Sequence, residues 1–292
     1  MRTTILSSAL AGAFLLPAFA HAQTAPAPAA PAAEAAPASP LSFNVGVTSD
    51  YLFRGVSQTH GKPALQGGVD YAHPSGFYVG AWASSITWVK DWVGSGSVEL
   101  DVYGGYKNTF AGGDWNYDVG YITYNYPGHG SATPWLANPN TQELYASIGW
   151  KWLSAKYSYA TSSHFIGWYG GNPATGNTRG SDYLELNANY DMGDGWTMIG
   201  HLGYQKVKNV AAIAPLNDAN YTDWKLGASK DVGFGTVTLA YSATNAKGSC
   251  NADGTGTSLY CWGNNGSQSS APTSGFRDVA KGALVLSFTK TF

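Results

Sequence analysis

The chain has 292 residues, a formal net charge of −2, 12% charged side chains, 37 Gly, 19 Tyr, 11 Trp and only 3 Met. Soluble domains carry about 25% charged residues, so a soluble fold fits poorly, and the lack of a Lys/Arg cluster excludes a nucleic-acid partner. No run of about 20 apolar residues follows residue 22, which excludes a transmembrane helix and leaves a membrane barrel, whose strands hide their apolar signal by alternation.

Residues 1–22 read as a secretory signal peptide: Arg2 is positive, Ile5 to Phe19 are almost wholly apolar, and Ala20-His21-Ala22 fits a small-x-small cleavage site. Residues 23–41 form an Ala/Pro-rich linker with one charge, Glu34, expected to be disordered because it has nothing large to bury. The remainder, 42–292, is expected to be the barrel. Its first strand is expected over 42–54, with Phe43, Val45, Val47, Tyr51 and Phe53 on one face and Asn44, Thr48, Asp50 and Arg54 on the other. Period-2 alternation recurs near 63–73, 77–88, 97–109, 115–126, 141–150, 153–160, 181–191, 196–206, 221–231, 236–245 and 280–292. Near 97–109, Val98, Leu100, Val102 and Tyr106 oppose Glu99, Asp101, Tyr103 and Lys107; near 181–191, Leu184, Leu186, Ala188 and Tyr190 oppose Glu185, Asn187 and Asn189.

Every second connection is short: His73 to Gly76, Ala111 to Asp114, Lys151-Trp152, Gly193 to Gly195 and Val232 to Gly235. The others are longer and polar, the largest at about 246–279. This pattern predicts an all-β fold: a transmembrane antiparallel up-and-down β-barrel of about twelve strands, with short periplasmic turns and long extracellular loops. Lipid offers backbone groups no water, so the sheet must close on itself. Tyr51/Phe53, Trp82/Trp88, Trp115/Tyr117, Trp150/Trp152 and Tyr190/Trp196 are expected to form interfacial aromatic girdles. Cys250 and Cys261 share one Gly/Ser/Asn-rich stretch of an exported chain, so a disulfide is expected. Phe292, last in an alternating strand with Leu284, Leu286 and Phe288, resembles the signal read by barrel-assembly machinery; Lys290 departs from it and is expected to snorkel.

The stretch Val47-Thr48-Ser49-Asp50-Tyr51-Leu52-Phe53-Arg54-Gly55-Val56-Ser57-Gln58-Thr59, followed by Pro63 to Tyr71 and Gly76 to Ser84, resembles the opening of the TorF family of porins. Glu99 to Tyr106 is also similar to that family; beyond it the likeness is one of pattern and length. The resemblance implies an outer-membrane pore of poorly defined substrate and supplies no catalytic residues.

With the apolar face outward, the lumen is expected to carry Asp50, Arg54, Asp70, Glu99, Asp101, Lys107, Asp118, Glu143, Lys156, Glu185, His201, Asp223, Lys225 and Lys281. On the lipid side each would cost about 2–4 kcal/mol near the midplane. Asp50 and Arg54 lie ~13 Å apart along a strand, so each is expected to bond to a neighbouring strand, with Asp70 a candidate partner for Arg54. A narrow channel for small solutes fits this lumen; the alternatives are a sealed barrel acting through its outer loops, or a hydrolase. No Gly-x-Ser-x-Gly, HExxH or phosphate loop is present, and His60, His73, His129 and His164 fall in expected turns or loops, so no enzyme, cofactor or metal is expected. Residues 161–180, with Phe165, Trp168 and Tyr169, are expected to fold inward as a plug or outward as a binding surface. Outer-membrane lipid and the assembly machinery are the expected partners, and the barrel is expected to be a monomer.

Overall fold

The computed structural model describes residues 39–292 apart from 93–95, 130–137, 169–175, 211–218, 247, 249, 251–258 and 263–276. The expected signal peptide, and the linker up to residue 38, lie outside the described residues. The chain runs β1 (Leu41–Thr48), β2 (Leu52–Phe53), β3 (Val56–Ser57), β4 (Ala64–Ala72), β5 (Phe77–Ser85), α1 (Trp88–Trp92), β6 (Val98–Phe110), β7 (Trp115–Asn125) and β8 (Thr141–Trp150). It continues through β9 (Leu153–Ala160), β10 (Asp182–Gly193), β11 (Trp196–Lys206), β12 (Tyr221–Asp231), β13 (Thr236–Thr244), β14 (Cys261–Trp262), β15 (Arg277–Asp278) and β16 (Ala283–Thr291).

Twelve of these strands, β1, β4 to β13 and β16, form a closed antiparallel barrel in which neighbours in sequence are neighbours in space. Closure joins the first strand to the last: Asn44 to Thr48 of β1 pair with Thr291 to Ser287 of β16. Phe43 and Phe292 extend this ladder by exchanging backbone hydrogen bonds, at 3.2 and 2.8 Å. An open edge would strand N–H and C=O groups in hydrocarbon, at several kcal/mol each. Both ends of the barrel chain lie at the short-turn end, the periplasmic end in outer-membrane barrels.

The wall is inside-out relative to a soluble protein. Along β1, Phe43, Val45 and Val47 are 51%, 43% and 52% exposed; on β6, Glu99 and Asp101 are 1% and 0% exposed. An apolar exterior over a polar interior is stable only in lipid, so the fold is a transmembrane barrel of the outer-membrane type. Trp115, Trp150, Trp152, Tyr190 and Trp196 are exposed near the short-turn end. Some touch across strands: Trp115 lies 6.4 Å from Trp150 and Trp152 5.6 Å from Tyr190, ring to ring. These residues match the expected girdle.

The other girdle pairs are corrected. Tyr51 and Trp82 are 3% exposed and Trp88 1%; Phe53 is only partly buried, but it too packs against the buried core. The cause is local. β1 stops at Thr48, not 54, because Thr48 Oγ1 donates to the Asp50 carbonyl (2.9 Å) while the Asp50 carboxylate accepts from Ser57 (2.6 Å) and Thr59 (2.9 Å) hydroxyls. These bonds offer the backbone an alternative to the ladder and turn residues 49–62 into the barrel. β5 likewise ends at Ser85, and Trp88 begins a short helix. Lys281 is exposed in the turn before β16, outside the lumen.

Candidate functional site: the lumen and its plug

Residues 49–62 form a plug whose tip is the hairpin β2–β3. Phe53 pairs with Val56, so Arg54 and Gly55 make a two-residue turn, and both have positive φ, +48° and +78°. That is the conformation of a type I′ turn. Gly55 is needed there for space as well: a Cβ would meet Thr244 Cγ2 at 2.5 Å and Asp223 Cβ at 2.8 Å. Arg54 accepts a conformation that costs an ordinary residue about 1–2 kcal/mol, which the docked contacts must offset.

Those contacts are strong. Arg54 donates from Nη2 to Glu143 Oε2 and from Nη1 to Gln205 Oε1, both at 2.7 Å. Its guanidinium carbon lies 4.3 Å from the Tyr183 ring centre, 4.8 Å from Phe53 and 5.6 Å from Phe165. Asp70 is not its partner: that carboxylate accepts from Tyr103 at 2.6 Å. Glu143 is reached instead because β8 enters the wall at the long-loop end, where the plug descends. Tyr51 adds a second tie by donating to Glu99 Oε1 at 2.8 Å. Asp50 stays within its own loop, and burial raises its pKa against the lowering effect of the Ser57 and Thr59 bonds.

A cover lies over the plug. β14 and β15 pair through Cys261↔Asp278 and Trp262↔Arg277, and the expected disulfide joins Cys250 to Cys261, with Cα atoms 5.4 Å apart. Ser57 donates its backbone N–H to Val279 (2.8 Å), and Arg277 donates to the His60 carbonyl (2.7 Å). Of the 161–180 segment, Phe165 and Ile166 are buried at the mouth, and Phe165 faces the plug's Arg54; residues 169–175 lie outside the described ones. The described part of that segment thus turns inward, where it meets the plug formed by the first long connection.

Below the plug the wall carries a mixed charge network. Tyr78 donates to Asp118 at 2.7 Å and also bonds Tyr145. Lys156 sits 4.1 Å over Tyr145 and Lys107 5.0 Å over Tyr78. His201 bonds Tyr183 (2.9 Å), Asp223 (3.0 Å) and Asn187 (2.6 Å), and lies 3.7 Å from Glu185. Lys225 pairs with His201 in register. Thus the wall residues inferred from sequence do face the interior, Lys281 excepted. Acidic groups prevail among them: Asp70, Glu99, Asp101, Asp118, Glu143, Glu185 and Asp223 stand against Lys107, Lys156 and Lys225. Both carboxylate oxygens of Asp101 and Oε1 of Glu143 are buried without a hydrogen-bond partner. Such orphaned groups cost about 1–3 kcal/mol each, and more when charged. Among the described residues no group of three His, Cys, Asp or Glu is placed to hold a metal ion.

Sequence reading placed Tyr103 on the lumen face but missed the lumen aromatics Tyr78, Tyr124, Tyr145 and Tyr183; all five are buried. Strand parity identifies most of them: Tyr145 shares a face with Glu143, Tyr183 with Glu185, and Tyr124 with Asp118. Gln205, also missed, gives no signal beyond that same parity.

A family described as "Bacterial protein of unknown function (Gcw_chp)" matches residues 32–265. The chain belongs to this family. In it, the Gcw_chp match spans the whole plug and all barrel strands but the last. No curated protein matches the sequence. Solved structures similar to this Gcw_chp barrel include the KdgM porin, at 9% identity over 86% of this chain and 99% of that one, with a TM-score of 0.47. The NanC porin is similar at 12% identity over 86% and 98%, with a TM-score of 0.48. OprD of Pseudomonas aeruginosa is similar at 12% identity over 87% and 66%, with a TM-score of 0.39.

Proposed function

We propose that this barrel is a non-enzymatic outer-membrane channel for small solutes, favouring cations, and that the plug of residues 49–62 is its gate. One observation carries the reading: the wall around and beneath the plug is lined by carboxylates in excess of lysines, and oxygens of Asp101 and Glu143 have no hydrogen-bond partner while the plug is docked. A barrel built only to be sealed would have such groups paired or replaced by apolar ones, since partly satisfied buried networks are worse than apolar cores. Water and passing cations would satisfy them once the plug withdraws. The plug is held by polar bonds and by the packing of Tyr51, Phe53 and Val56, without a continuous ladder to the wall, which suits a displaceable element. The likeness of Val47 to Thr59, the plug segment itself, to the TorF porins supports the same reading. Outer-membrane lipid is then the barrel's solvent, Phe292 its signal to the assembly machinery, and the monomer its working unit.

The test is purified protein in a planar bilayer, alongside a variant in which residues 50–62 are replaced by a short Gly-rich turn. The wild type should gate in steps, the shortened variant should stay open, and a salt gradient should give a reversal potential of cation sign. Silence from both proteins would refute the channel.

A further inference from the structure

The surroundings of Arg54 form a binding site in their own right. Four wall and loop groups meet its guanidinium: the Glu143 carboxylate and the Gln205 amide oxygen, both at 2.7 Å, and the faces of Tyr183 and Phe165. Each is fixed by bonds that do not involve Arg54. Tyr124 donates to Glu143 at 3.2 Å, and Gln205 donates to the carbonyls of Asp182 and Lys206. The Tyr183 hydroxyl bonds His201 and Asp223, and the Phe165 backbone N–H donates to Thr178 Oγ1 at 2.8 Å. Glu143, Gln205 and Tyr183 are each 1% exposed and Phe165 4%. A preorganised carboxylate and amide oxygen with aromatic faces is what a planar cation needs: two charge-assisted bonds in its plane and π contacts above it. Nearby, the second Glu143 oxygen and both Asp101 oxygens have no hydrogen-bond partner.

We propose that this is a solute-binding site for small organic cations of the guanidinium class, and that Arg54 occupies it as a tethered surrogate. A free guanidinium-bearing solute competes with Arg54 for Glu143 and Gln205. When it wins, the plug loses its anchor and the solute already sits in the mouth of the lumen. The inference names the solute class of the channel proposed above and rests on that reading for its transport meaning, but the binding site is testable without conduction.

Arg54→Ala barrel in lipid nanodiscs is titrated with methylguanidinium by calorimetry, with empty nanodiscs and potassium chloride as comparisons. Resistance of the band to unfolding in SDS verifies the barrel; Arg54→Gln takes its place if the alanine variant does not fold. The expected result is saturable binding, at least tenfold weaker in wild type, where Arg54 fills the site, and at least tenfold weaker in Arg54→Ala/Glu143→Gln. Equal binding by the single and double variants, no saturation, or potassium competing at equal concentration overturns the site. A bilayer recording separates the two claims. Binding with a silent barrel upholds the site and removes the channel, whereas conduction without binding removes the site and keeps the channel.

Discussion

Arg54→Ala is the perturbation to which the gate should respond most. The ion pair with Glu143 is buried on both sides, at 6% and 1% side-chain exposure. Breaking a buried pair by removing one partner costs about 3–5 kcal/mol, because the remaining charge is left uncompensated. Here the whole penalty falls on the docked plug; in the withdrawn state Glu143 meets water. Each 1.4 kcal/mol is tenfold in an equilibrium constant, so the ratio of withdrawn to docked plug should rise by about a hundred- to several-thousand-fold. The alanine keeps a Cβ at the same positive φ, so the backbone strain of the turn is little changed. Single-channel recording reads the effect as open probability. A variant that gates like wild type to within threefold refutes the claim that this pair holds the plug. The double substitution Arg54→Met/Glu143→Met removes both charges and should return open probability toward the wild-type value, since no charge is left buried.

Three further outcomes follow from the same geometry. Gly55→Val should open the channel with the barrel intact, because a β-branched residue resists positive φ and its Cβ would strike Thr244 and Asp223; an unchanged closed state in recordings would contradict the turn. Cys250→Ser/Cys261→Ser should loosen the cover that bonds Ser57 and His60, since closing a loop of this length contributes about 2–3 kcal/mol. Its mark is more frequent opening at unchanged SDS resistance, and equal gating of oxidised and cysteine-free protein would sink the idea. Asp101→Asn, which replaces a buried carboxyl that has no hydrogen-bond partner, should lower cation preference in reversal-potential measurements; an unchanged preference would place the selectivity elsewhere.

The barrel was legible because a membrane wall obeys one rule along its whole length. Alternation placed all twelve strands, most boundaries within one or two residues, and turn lengths set their direction. The strand over 42–54 failed where that rule meets local chemistry. Tyr51 and Phe53 continue the alternation of Phe43, Val45 and Val47, so periodicity alone keeps them in the wall. What removes them is a set of side-chain to backbone and side-chain to side-chain bonds around Asp50. The Arg54-Gly55 turn lacks the Asn-Gly or Asp-Gly signature of a type I′ hairpin, so the reversal leaves little trace in sequence. Glu143, Gln205 and Tyr183 lie 89, 151 and 129 positions from Arg54 in the chain. Their meeting is a product of barrel closure, so no local pattern could announce it, although each residue's facing was available from parity.

The most direct test of the gate locks the plug in place. Gln58 and Thr87 are joined by a backbone hydrogen bond of 3.0 Å, so Gln58→Cys/Thr87→Cys, made in the Cys250→Ser/Cys261→Ser background, places a lone disulfide between the plug and the segment that follows β5. Oxidised, this variant should pass no current, and reduction in the bilayer chamber should restore stepwise opening. Full conductance with the lock closed would contradict the gate outright, as would silence after its release.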